Sequence, residues 1–140
     1  MKVSRRELAL LFPALAAAQS ANEGGLQPSL AFPFEDQPVR TNGDGKSRQI
    51  LNGTTHSGFL VDLHATEMPP GGAPHPAHRH VHEEMFFVRS GTMEVNIEGR
   101  ATRLGPGGVA YIKSNELHGV HNAGEETAHY FVLALGTDEA

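Results

Sequence analysis

The feature that most constrains this chain is a run of short segments with period-two hydrophobicity, separated by turn residues, from about residue 48 onwards. Phe59, Val61, Leu63 and Ala65 alternate with Leu60, Asp62, His64 and Thr66, and Pro69-Pro70-Gly71-Gly72 ends that segment. Met93, Val95 and Ile97 alternate with Glu94, Asn96 and Glu98 before a turn at Gly99-Arg100. Successive side chains of a strand point to opposite faces, so this alternation marks half-buried strands. Further strands are predicted over Met85 to Arg89, Ala101 to Leu104, Val109 to Lys113, Leu117 to Asn122 and Ala128 to Leu135. Turns recur every eight to twelve residues, and no segment has helical period, so an all-β sandwich or barrel is expected. The 16 glycines and 9 prolines supply its corners.

With 140 residues there is one domain's worth of chain. Residues 19–47 carry Gly24-Gly25, Pro28, Pro33, Pro38 and Asn42-Gly43-Asp44-Gly45, which predicts an extended arm ahead of a barrel over 48–136 and a tail over 137–140. Phe32, Phe34 and Val39 give the arm apolar groups to bury on the barrel or on a second subunit; a homodimer is expected. The formal charge of −5 excludes a dense basic face for nucleic acid, and no segment is long enough to span a bilayer. Lys2, Arg5 and Arg6, followed by the apolar run Leu8 to Ala18, predict an export signal over 1–18 and a periplasmic or extracellular protein. The string Ser4-Arg5-Arg6-Glu7-Leu8 resembles a twin-arginine signal, with Leu8 where Phe usually stands.

The absence of cysteine leaves imidazole and carboxylate as metal donors, and nine histidines make His the enriched functional type. On an extended chain His78 and His80 share a face, and Glu84 has the same parity. His118, within reach of the apolar Leu117 and Val120, is the natural fourth ligand from a neighbouring strand. The competing pair His80 and His82 has no Glu at the right distance.

These residues resemble the cupin family. Gly72, His78, His80, Glu84 and Gly91 fit its first motif at every position. Gly107, His118 and Asn122 fit the second, in which Lys113 replaces a Pro and Asn115 a Gly. Asn tolerates a left-handed backbone, so the turn at 115 is expected to survive. The resemblance implies a single jelly-roll barrel holding one divalent ion on His78, His80, Glu84 and His118, with a small molecule as substrate or ligand. Three imidazoles and one carboxylate suit manganese, iron, cobalt, nickel, copper or zinc. Folded export would load the ion in the cytoplasm, which favours manganese or iron.

The resemblance further implies an oxidoreductase of dioxygenase type, similar to quercetinase-like members, with a substrate chelated to the ion. The alternative is a non-catalytic exported metal- or ligand-binding module. Sugar isomerisation is a third reading, and needs a proton carrier, for which His129 or His82 are the candidates. No general base declares itself outside the ligands. His75 and His82 are read as loop neighbours of the site, His121 as facing away from it, and His56 and His64 as surface. Glu83 is read as a solvated acid. Phe59, Met85, Phe87, Met93 and Tyr111 fit either an apolar pocket or the barrel core.

Overall fold

The computed structural model describes residues 29–136. The expected export signal over 1–18, the first part of the arm and the tail over 137–140 lie outside the described residues. A 3₁₀ turn at Phe34–Asp36 precedes nine strands. They are β1 (Val39–Asn42), β2 (Gly45–Thr54), β3 (Leu60–Met68), β4 (Glu83–Ser90), β5 (Met93–Ile97), β6 (Arg100–Leu104), β7 (Val109–Ile112), β8 (His118–Asn122) and β9 (Ala128–Gly136). One sheet has the order β1-β2-β3-β9-β4-β7 and the other β6-β5-β8. All pairings are antiparallel.

The two inner faces make the core. Phe86, Val88, Ile112, Tyr130 and Val132 from the larger sheet meet Met93, Val95 and Val120 from the smaller, all within one buried cluster. Each large apolar side chain removed from water contributes about 1.5–3 kcal/mol. That alternation, buried on one face and open on the other, makes the chain a jelly-roll barrel.

Strand formation begins earlier than the punctuated composition suggests. Residues 39–47 belong to the six-stranded sheet, because Asn42 pairs with Gly45 across the two-residue loop Gly43-Asp44. Gly43 has φ +56, the positive value that short hairpin loops demand. The β5–β6 hairpin turns on Glu98-Gly99, not Gly99-Arg100, since Arg100 already pairs with Ile97. Both central residues have positive φ, 48° and 82°.

Neither the apolar pocket nor the barrel core gathers the five residues that fitted either. Met93 is core, whereas Phe59, Phe87 and Tyr111 are 63%, 37% and 50% exposed. Phe87 and Tyr111 have parity opposite to that of Phe86 and Ile112 on their strands, so they point outwards, and Phe59 stands in the loop ahead of β3. Phe34 turns back on its own barrel, with the Arg48 guanidinium 4.8 Å from its ring centroid.

Candidate metal centre

The site forms where the loop after β3 runs antiparallel beside β8. Asn122 N donates to Gly72 O, and His78 and His118 exchange both backbone hydrogen bonds at 2.9 Å. Further on, Asn115 N donates to His80 O. Four residues thus keep the loop in register: Gly72 opposite Asn122, His78 opposite His118. Asn115 has φ +63, so the left-handed turn expected of it is present. The buried Asn122 side chain donates to Met68 O and Glu126 O, and accepts from Gly124 N. Gly91 has φ +80, and a Cβ there would stand 2.6 Å from Ala128 Cα. These motif residues shape the loops around the ligand candidates.

The three imidazoles converge. Ligand atoms of His78, His80 and His118 all lie within 4.8 Å of one another. Their rings stand nearly perpendicular in pairs, with interplanar angles of 72°, 76° and 75°. Glu84 closes the set on one side, with Oε1 3.4 Å from His80 Nε2 and Oε2 3.4 Å from His118 Nε2.

Tautomers follow from the remaining nitrogens. His80 Nδ1 is 2.8 Å from His82 O and His118 Nδ1 is 2.9 Å from Glu116 O. A carbonyl can only accept, so each Nδ1 carries the proton when the ring is neutral, and Nε2 keeps its lone pair. The Nε2 atoms of His78, His80 and His118 are buried and make no hydrogen bond to protein. Buried polar atoms are ordinarily satisfied, and three lone pairs aimed together beside a carboxylate fit a divalent cation. The cluster is therefore a candidate site for one metal ion.

Electrostatics agree. Burial raises the Glu84 carboxyl, but the imidazoles of His118, His82 and His80 that face it outweigh this, leaving the group at about 2. Burial lowers His118, and the contact with Glu84 reverses that into a net rise. His78 is lowered, first by burial and then by its imidazole neighbours, which keeps its lone pair available.

Two neighbours were underestimated from the sequence. His82 stacks on His80 with ring centroids 3.6 Å apart, and its Nε2 is 3.1 Å from Glu84 Oε1. Contrary to expectation, the pair His80 and His82 does have a carboxylate in reach, since ligand atoms of His80, His82 and Glu84 all lie within 4.8 Å of one another. His75 stacks on His78 at 4.0 Å. His129 lines a groove with Phe34 and Phe131 on the outer face, so it is neither core nor a donor to the site. Glu83 accepts a 2.6 Å hydrogen bond from the Tyr111 hydroxyl on that outer face.

His64, read as surface, was missed. It lines a cavity of about 400 Å³ together with Asp62, His82 and Glu84. Its Nδ1 is 3.0 Å from Asp62 Oδ1. A His two residues from an Asp on a strand was the available signal, since both side chains then share a face.

A jelly-roll of two antiparallel sheets with a cluster of three imidazoles and one carboxylate defines a barrel protein with a candidate metal site. The chain belongs to the cupin family: the model for the cupin domain matches residues 64–134. It is similar to the pectin degradation protein KdgF of Dickeya dadantii, 31% identical over 90 residues, which cover 64% of this chain and 77% of the relative. Among solved structures, KdgF from Halomonas sp. superposes with a TM-score of 0.66 at 16% identity, over 79% of this chain and 97% of that one. An RmlC-like cupin from Shewanella frigidimarina gives 0.65 at 18% identity, over 80% and 94%. These two likenesses speak to the fold.

Proposed function

We propose that this protein is a metal-dependent enzyme acting on a small, oxygen-rich organic acid, with His78, His80, Glu84 and His118 holding one divalent ion. The observation that carries the proposal is continuity between cluster and cavity. Glu84, which touches both His80 and His118, also lines the cavity of about 400 Å³. A storage or purely structural site is closed by side chains, whereas this one adjoins room for a ring-sized ligand. When bound, a divalent ion supplies Lewis acidity to a chelating carbonyl, hydroxyl or carboxylate. The protein's own part is to aim the three Nε2 atoms together, present Glu84 ionised and bind the substrate beside them.

The likeness to a pectin degradation protein supports sugar acids as the substrate class. Oxygen insertion, the chemistry expected from the family resemblance, would use the same cluster and cavity. Manganese or iron as the resident ion, and an exported location, rest on the reading of residues 1–18. We further propose a homodimer paired through the outer face of the six-stranded sheet. Phe87, Val109 and Tyr111 are exposed there on adjacent strands, and Leu133 of β9 pairs with Met85 on the same face. A contiguous apolar patch of this kind marks an interaction surface.

The test is elemental analysis of protein purified from its own host, followed by turnover assays. Saturated and unsaturated uronic acids derived from pectin are followed by NMR, and catechols, flavonols and enediols by oxygen uptake. Stoichiometric metal with conversion of a uronic acid is the expected result. Metal-free protein that converts nothing in either assay overturns the proposal.

A further inference from the structure

The cavity beside Glu84 has a second polar wall, built with more care than a solvent-facing strand needs. Asp62 Oδ1 accepts from His64 Nδ1 at 3.0 Å. Asp62 Oδ2 accepts from Asn52 Nδ2 at 2.6 Å and from Gln49 Nε2 at 3.1 Å. Both oxygens are thereby assigned, and the carboxylate cannot rotate without losing donors. Burial raises the Asp62 carboxyl, and the three hydrogen bonds more than offset it, so the group is held below its usual 3.8.

This convergence depends on an irregularity in β2. The register with β3 shifts between Gln49 and Leu51, so that Gln49 stands opposite His64 and Asn52 opposite Asp62. Without the extra residue Ile50, parity would send one of the two amides to the outer face. Bulges re-aim side chains in this manner and recur beside active sites. Gln49 Nε2 is also held by Leu51 O at 2.8 Å, which fixes the amide over the bulge.

We propose that Asp62 and His64 form the proton-transfer pair of this cavity, with His64 Nε2 exchanging a proton with the bound substrate and Asp62 as its positioning residue. The inference rests on the metal-dependent reading given above. With Nδ1–H donated to Asp62, the neutral ring keeps its lone pair on Nε2, the tautomer a general base requires. In the reaction, a C–H bond next to a carbonyl breaks and its proton goes to Nε2. The electron pair moves to the carbonyl oxygen. On Nε2 the proton exchanges with solvent. Its delivery to the former carbonyl carbon, while the hydroxyl proton of the carbon first deprotonated passes to the carbonyl oxygen, gives an isomer, and no electrons leave the substrate. His82 is less suited, because its ring is stacked on His80 and its Nε2 is engaged with Glu84.

Asp62→Asn tests the positioning role. Asn52 and Gln49 donate to Oδ2, so the amide oxygen will occupy that side and its NH₂ will face His64 Nδ1. The proton then moves to Nε2, and that nitrogen can no longer accept one. The probe is galacturonate and the unsaturated uronate released from pectin by a lyase, incubated in D₂O. Wild type is expected to incorporate deuterium at carbon. His64→Gln and Asp62→Asn, both retaining full metal by elemental analysis, are expected to do so about 100-fold more slowly or less. Nitrogen-15 NMR is expected to show His64 protonated on Nδ1 in wild type and on Nε2 in Asp62→Asn, a change that loss of packing would not cause. Incorporation at wild-type rate by metal-loaded His64→Gln overturns the pair and leaves the metal reading standing. Absence of exchange in metal-loaded wild type also overturns it. Wild-type exchange by metal-free His118→Ala instead overturns the metal reading.

Discussion

Glu84 and Asp62 lie in one row of the six-stranded sheet, each opposite Ala134 of the strand between them. Two strand spacings separate them, roughly 10 Å between backbones. The small side chain of Ala134 leaves open the space above it, and Ala134 lines the cavity with both acids. One carboxylate faces three imidazoles, and the other faces one imidazole and two amides. A substrate lying over Ala134 would meet both walls.

Removing ligands should remove the ion. His78→Ala, His80→Ala and His118→Ala are each expected to abolish stoichiometric metal, and Glu84→Gln to weaken retention. An ion present at 100 times its dissociation constant stabilises the fold by about 2.7 kcal/mol. Chelation of wild type should therefore lower the melting temperature by on the order of 10 °C. The same chelator should leave the melting of His118→Ala unchanged, as read by calorimetry.

Loading the ion should release protons. In the metal-free protein His118 is raised by Glu84, and Glu84 is held at about 2. The carboxylate contribution is present above its usual 4.5 and is lost as pH falls through about 2. The imidazole contribution is present below its usual 6.5 and is lost as pH rises through its higher folded value. The metal-free protein should thus draw full stability from this pair between pH 4.5 and 6.5. Metal titration in that window, in buffers of different ionisation enthalpy, should show protons displaced from imidazole and none from Glu84. A binding heat that does not vary with buffer would contradict this.

The outer face should govern association. Phe87→Glu combined with Val109→Lys places charges where 37% and 54% exposed apolar groups now stand. Sedimentation is expected to show a dimer for wild type and a monomer for the double variant, with metal content unchanged. A monomeric wild type would refute the pairing.

Gly91→Ala should be costly. The residue adopts φ +80, and the new Cβ would be 2.6 Å from Ala128 Cα and 2.9 Å from its Cβ. Left-handed strain alone costs about 1–2 kcal/mol, and the β4–β5 turn must also move away from β9. Chemical denaturation should show a loss of at least that size. Gly99→Ala, where no atom lies within 4 Å of the new Cβ, should lose only the strain.

The strands from β3 to β9 were legible because their side chains alternate and their ends carry Gly, Pro or Asn. The convergence of His78, His80 and Glu84 towards His118 could be anticipated from parity and spacing. The β1–β2 hairpin was less visible. Its sequence, Val39 to Thr54, lacks clear alternation, and only the pairing of Asn42 with Gly45 makes it part of the sheet.

By itself, then, the sequence determined the all-β class, the turns and which side chains share a face, since those properties depend on neighbours two to four residues apart. Tertiary structure alone decided that Asp62 and His64 join Glu84 around one cavity. It also decided that Phe59, Phe87 and Tyr111 face outwards. The physical reason is that strand order and a one-residue bulge choose which face closes on the core, and both depend on pairings between residues distant along the chain.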